Sequence, residues 1–170
     1  PGDPVPGVDG VIHAMTTWDD GHGPALYVGG NFAVAGAHPT TNIARWDGSQ
    51  WSPMAAGMTA TFGPQIKTIE VFGGELIAAG HFNSIDGVAA RSIARWNGTA
   101  WQPFAADLPA SVDWVYCLAE YQGALYAGVT QPLAPGQSGG RVLRWDGDTW
   151  QPVGGLMNAS VQALVVWDNQ

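Results

Sequence analysis

Two things are scarce in this chain of 170 residues: cysteine and positive charge. A single thiol, Cys117, excludes an intramolecular disulfide framework. Six Lys and Arg stand against 14 Asp and Glu, a net charge of −8. Such a chain cannot neutralise a phosphate backbone, which excludes nucleic-acid binding. The same balance disfavours a helix lying on an anionic membrane. Charged residues of both signs make up only 12% of the chain, about half the usual share, and a helical bundle needs charged faces. No apolar run approaches the ~20 residues of a membrane-spanning helix. The chain opens PGDPVPG, without an initiator Met or the basic and apolar start of a signal peptide, as expected of a cut end.

What is abundant is glycine (24), proline (12) and tryptophan (9), within a chain that is 46% apolar. That much apolar material excludes disorder. The length suits one domain with a sizeable core. The composition is that of a turn-rich all-β protein.

Internal repetition decides the architecture. IARWDGSQW begins at Ile43, IARWNGTAW at Ile93 and VLRWDGDTW at Val142. Their first tryptophans, Trp46, Trp96 and Trp145, are 50 and 49 residues apart. Their second tryptophans, Trp51, Trp101 and Trp150, are each followed two positions on by Pro53, Pro103 or Pro152. Upstream lie LYVGGNF from Leu26, LIAAGHF from Leu76 and LYAGV from Leu125. Further upstream, an apolar residue is followed three on by another and three further by an aromatic. This third element reads Ile12, Met15, Trp18; Ile66, Ile69, Phe72; Val115, Leu118, Tyr121; and, a fourth time, Val161, Leu164, Trp167.

Each repeat therefore holds four short β-like runs. Asp47-Gly48, Asn97-Gly98 and Asp146-Gly147 mark hairpins before the last run, because such turns need positive φ. Proline in that last run places it at a sheet edge, since proline cannot donate to a ladder. Four antiparallel strands in about fifty residues describe a β-propeller blade, at the period of kelch-type blades. The spacing assigns residues 12–65 to a first blade, 66–114 to a second, 115–160 to a third, and 161–170 to the first strand of a further blade. Together they make one partial or oligomer-completed propeller over residues 1–170.

The pattern L-Y-x-G-G-x-F followed by I-A-R-W-D-G-x-x-W resembles the kelch-like repeats of large secreted bacterial propellers and of fungal cortical polarity markers. The resemblance covers almost the whole chain. It implies a propeller that serves as an interaction or surface scaffold. The third repeat departs from the pattern, with Gly128-Val129 where a second Gly and an aromatic are expected.

Repetition also sorts the candidate site residues. Trp46, Trp51, Trp96, Trp101, Trp145 and Trp150 recur, and so do Trp18, Phe72, Tyr121 and Trp167; the blade accounts for them as packing. Arg45, Arg95 and Arg144 recur before the first motif tryptophan. They either line a channel and bind anions or, the favoured reading, stack on tryptophan and satisfy nearby carbonyls and carboxylates. Phe62, Trp114 and Tyr116 do not recur. Trp114, beside Asp113 in the connection entering the third inner strand, suits a propeller face where aromatics stack on sugars or peptide side chains, with packing on the preceding blade as the competing use. Trp114, Tyr116 and the three arginines are thus the candidate ligand-binding set.

No catalytic or metal-binding residue emerges. His13, His22, His38 and His81 lack metal-ligand spacing and read as solvated loop residues. Asp19-Asp20 and Asp146-Gly147-Asp148 sit at turns and form no D-x-D-x-D-G loop. There is no G-x-S-x-G elbow, and Cys117 reads as a small buried hydrophobe in a strand. Tyr116-Cys117 is similar to a pair in copper oxidases built on kelch propellers, but their further Tyr and His ligands have no visible counterpart. The sequons at Asn97 and Asn158 matter only in a eukaryotic secretory setting, and Asn97 already has a turn role.

The expectation is a non-catalytic scaffold or interaction module, extracellular or at the cell surface, without cofactor. Its partners are copies of itself or adjacent blades of a longer chain, and a glycan or protein ligand. No nucleic acid and no membrane insertion are expected. A carbohydrate-binding propeller lectin and a kelch-type secreted enzyme domain stay open as alternatives. Three blades are too few to close, since closed propellers have about 4–8, and their raw edges need covering.

Overall fold

Glycines and a few polar residues at positive φ (Asn42, Asp86, Ser92 and Gln122) mark the turns between short antiparallel strands. The computed structural model describes residues 7–106, 108–134 and 137–167, and these contain no helix. A first sheet is built from β1 (Val11–Asp19), β2 (Pro24–Asn31), β5 (Ile43–Trp46) and β6 (Trp51–Pro53), in that order. A second has β8 (Gln65–Phe72), β9 (Glu75–His81), β12 (Ile93–Trp96) and β13 (Trp101–Pro103), and a third has β14 (Trp114–Tyr121), β15 (Ala124–Ala134), β16 (Gln137–Trp145) and β17 (Trp150–Met157). Small ladders join β3 (Val34–Ala35) to β4 (His38–Pro39), and β10 (Ser84–Ile85) to both β7 (Met58–Thr59) and β11 (Val88–Ala89). Pro53, Pro103 and Pro152 all lie in edge strands, where a missing N–H breaks no ladder.

The hairpins are of two kinds. Gly73-Gly74 (φ 61° and 80°) and Gln122-Gly123 (51° and 73°) are two-residue turns with both residues at positive φ, the geometry that matches strand twist. The Asp-Gly turns differ from expectation: only the glycine is at positive φ, at 97° for Gly48, within a four-residue loop. The aspartate acts through its side chain instead. Asp47 Oδ1 accepts from Ser49 N (2.8 Å), Ser49 Oγ (2.8 Å) and Gln50 N (2.9 Å). Asn97 Oδ1 makes the same three bonds to Thr99 N, Thr99 Oγ1 and Ala100 N.

That pairing of an acid and an amide in one role gives an internal control. The amide of Gln50, then the hydroxyl and amide of Ser49, hold the Asp47 carboxyl down to about 2. Because its folded value is depressed, the carboxylate supports the loop above the ordinary value of 3.8, and that support is lost as pH falls through about 2. In an NMR acid titration the Ser49 and Gln50 amide shifts should move with a midpoint near 2, while those of Thr99 and Ala100 stay flat. A midpoint near 3.8 for Ser49 would show that the carboxylate is not bonded there.

Two cores lie between neighbouring sheets. Tyr27, Ile43, Ile66, Ile69 and Leu76 fill the first, and Ile77, Ile93, Val115, Leu118 and Leu125 the second. Full burial of each such side chain is worth about 2 kcal/mol. The contact is close because the preceding sheet offers small residues. A Cβ on Gly29 would meet Ile66 Cγ2 at 2.5 Å and Ile69 Cδ1 at 2.8 Å. The repeated tryptophans pair within each sheet, directly across the last hairpin, at 5.3, 5.4 and 5.6 Å between ring centroids. Contacts between sheets are added by Trp101 Nε1, which donates to the Met54 carbonyl at 2.6 Å, and by Phe104 against Trp145 and Trp150.

The third repeat differs where its sequence does. In the first two sheets the chain turns off after Asn31 and His81, buries Phe32 and Phe82, and re-enters at Asn42 (φ 63°) and Ser92 (φ 61°). In the third, Val129-Thr130-Gln131 continue β15, and the ladder runs on to Ala134 opposite Gln137.

Residues 161–167, expected as a first strand, pair with no ladder; 168–170 lie outside the described residues. A strand there needs a partner of the β2 type, and β2 is already paired with β1. The segment lies on the third sheet instead. Cys117 Sγ donates weakly to the Val161 carbonyl at 3.6 Å, and Val161 Cγ1 covers Gly128. Burial pushes the Cys117 thiol up to about 11, which leaves it un-ionised and unreactive at neutral pH.

Candidate functional site

Every first strand carries one residue too many. The register slips between Ile12 and Ala14, between Ile66 and Thr68, and between Val115 and Cys117. The unpaired residues are His13, Lys67 and Tyr116. A bulge bends its strand and re-aims the extra side chain. Here the three bulges bring chemistry from three sheets into one row at the end where the first strands begin.

Lys67 Nζ lies 3.1 Å from His13 Nε2, a bond that the lysine donates to a neutral imidazole protonated on Nδ1. On its other side the ammonium lies over the Trp114 ring, 5.7 Å from the centroid. Burial lowers the Lys67 pKa; burial first, and then the Lys67 charge, lower that of His13.

Around Trp114 stands a column of four rings. His81 stacks on it at 4.3 Å and 8°, Tyr116 at 5.8 Å and 14°, and Phe62 lies beyond His81 at 6.5 Å and 23°. Phe62 is 74% exposed, whereas His81 is only 9% exposed and its Nδ1 is buried without a hydrogen-bond partner. Thr130, opposite Trp114 in the β14–β15 ladder, has a buried hydroxyl in the same condition.

The structure thus joins two residues of the sequence-derived set, Trp114 and Tyr116, and adds Phe62, His81, Lys67 and His13. Trp114 is the first residue of β14 rather than part of the preceding connection. Two of the four histidines depart from expectation. His13 lies in β1 and His81 in β9, where stacking on Trp114 buries it.

The repeated arginines lie elsewhere, each bound locally or exposed. Arg45 Nε donates to the Tyr27 hydroxyl at 3.3 Å and lies 3.5 Å from the Asp20 carboxylate. Burial, above all, pushes that phenol up to about 12. Arg95 pairs with Glu75 at 3.0 Å and donates to the Pro103 carbonyl at 3.1 Å. Both Arg95 and Glu75 are part-exposed, so the pair is worth under about 1 kcal/mol. Arg144 is exposed on β16.

The sequence held an unused signal for this site. Residues on one face of a strand are two or four apart. Ile12 and Met15, Ile66 and Ile69, and Val115 and Leu118 are three apart, a spacing that puts both on one face only with an inserted residue, as the structure shows in each strand.

The chain is thus an all-β protein of three equivalent four-stranded antiparallel sheets with a mixed aromatic and basic row at one end. No family model, no curated protein and no solved structure matches it.

Proposed function

We propose that the chain is a β-propeller scaffold and interaction module of a secreted or cell-surface protein, acting by binding rather than catalysis. Its unclosed ends are completed by self-association or, in a longer polypeptide, by further blades. The observation that carries the reading is an exposed face with buried equivalents. Ile66 and Ile69 are 0% and 5% exposed against the first sheet, whereas Ile12 and Met15, in the same places on β1, are 39% and 64% exposed. Leu156, Val165 and Trp167 leave the opposite end equally apolar. Apolar ends of this kind belong against another copy. Two copies give six blades, within the range of closed rings.

Sedimentation velocity with light scattering tests this reading. The expected result is twice the chain mass from micromolar concentration upward. A single chain at every concentration overturns self-completion. A second reading, carbohydrate binding, is favoured by the ring column around Trp114.

A further inference from the structure

The side chains at the three bulges are not dictated by the sheets. One slot holds an imidazole, an ammonium and a phenol in His13, Lys67 and Tyr116, and all three sheets form around it. The aromatics beside it are equally dispensable to the architecture. Val11 and Gln65 take the place of Trp114 in the other two sheets, and Asn31 and Thr130 take that of His81. The repeated architecture therefore does not require the column or its composition.

We propose that this row binds an uncharged saccharide. The column supplies apolar ring surface, with Phe62 74% exposed at its outer end, and a pyranose presents a flat C–H face to such rings. Sugar hydroxyls both donate and accept, and the polar groups at hand ask for both. Lys67 donates, His13 presents an imidazole, and His81 Nδ1 and Thr130 Oγ1 on two sides of Trp114 have no partner in the protein. His81 and Thr130 are 9% and 8% exposed and those two atoms lie below the accessible surface, so the direct contacts to a sugar come from Phe62, Lys67 and His13.

Charge selects the neutral ligand. The chain carries −8 overall, and the row holds one ammonium, already shared between His13 and Trp114, with Asp113 next to Trp114 in the chain. A polyuronate would be repelled at long range, and the row offers it a single ammonium. The site is made wholly by described residues of one chain. A chain that stays single yet binds sugar removes the self-association of the previous section and leaves this site standing.

The test uses an accident of composition: Lys67 is the only lysine. Reductive methylation with 13C-formaldehyde places one side-chain dimethylamino signal inside the row, and its charge is kept. The labelled protein is titrated with the hexasaccharides of cellulose, xylan, chitin, mannan and starch, and separately with polygalacturonate. The expected result is a saturable shift of the Lys67 methyl signal with at least one neutral oligosaccharide. Phe62→Ala should weaken that binding about tenfold, at the upper end of what an aromatic face contributes. Its circular dichroism should be unchanged, because the ring is exposed. No shift with any neutral oligosaccharide, or a shift with polygalacturonate alone, overturns the proposal.

Discussion

Gly80→Ala is expected to lower the melting temperature by about 10 °C. Gly80 stands opposite the bulge in β8, where Ile66 pairs with it and Lys67 is pushed out of register. The bulge draws the backbone of β8 over the glycine. A Cβ there would overlap the Gln65 carbonyl oxygen and approach Lys67 N at 2.9 Å, and neither atom belongs to a side chain that can rotate away. Gly30 has the same relation to the Val11 carbonyl across the bulge in β1. Relief requires β8 to separate from β9, which gives up the pairing of Gln65 with His81 as well. Overpacking of this kind costs about 3 kcal/mol, and each kcal/mol moves the transition by about 2–4 °C in a chain of this size. Gly48→Ala is the control. It carries the positive φ of its turn (97°) but has open space around it, so it should cost about 1 kcal/mol. Thermal melts followed by circular dichroism decide the matter, and a Gly80→Ala transition within 2 °C of the parent would remove the backbone contact from the argument.

Val129 shows that this glycine requirement is local. It occupies the corresponding place in the third sheet, fully buried, opposite Val115. In the first two sheets Gly30 N and Gly80 N donate to the Asn42 and Ser92 carbonyls at 2.9 and 3.0 Å, where the chain returns from its loop. Val129 instead pairs with Arg141 in a ladder that continues. The exit of the chain after the second strand, and not the bulge alone, sets how much room remains. The sequence marks the difference as GGNF and AGHF against GVTQ, so the place of the irregularity was legible while its form was not.

The same contrast runs through the rest of the molecule. Three four-stranded sheets, their order and their proline-bearing edges follow from strings repeated at a period of about fifty, because each string is a unit of local structure. The two-residue ladders of β3, β4, β7, β10 and β11 leave no such trace; they form where Asp9 Oδ1 and Asp86 Oδ1 collect loop amides across the chain. The site was half legible. Trp114, Tyr116 and Phe62 stood out as aromatics without counterparts, whereas Lys67, His13 and His81 are single residues whose meaning depends on three strands being side by side. Trp18, Phe72 and Tyr121, each an odd number of pairs from the preceding apolar position, turn to the opposite face of their strands. Ile69 thus packs toward the first sheet while Phe72 packs toward the third.

Met15→Asp and Ile69→Asp place the same charge at equivalent positions of two sheets and are expected to do opposite things. Ile69 is 5% exposed in the first core. A carboxylate there loses its water without gaining a partner, at a cost of several kcal/mol, enough to unfold a domain whose total stability is about 5–15 kcal/mol. Met15 is 64% exposed on β1, so in a single chain the substitution should change stability by under about 0.5 kcal/mol. If a second copy covers β1 as the first sheet covers β8, the Met15→Asp carboxylate is desolvated only on association. A penalty of about 4 kcal/mol then weakens the assembly about a thousandfold. Met15→Asp should therefore run at the mass of one folded chain at concentrations where the parent runs at twice that mass, and its melting curve should match that of the parent diluted until it dissociates. The pairing of the two variants separates fold from interface. An Ile69→Asp protein that stays folded contradicts the packing of the first core, and a Met15→Asp protein that keeps the doubled mass shows that copies meet through some other surface.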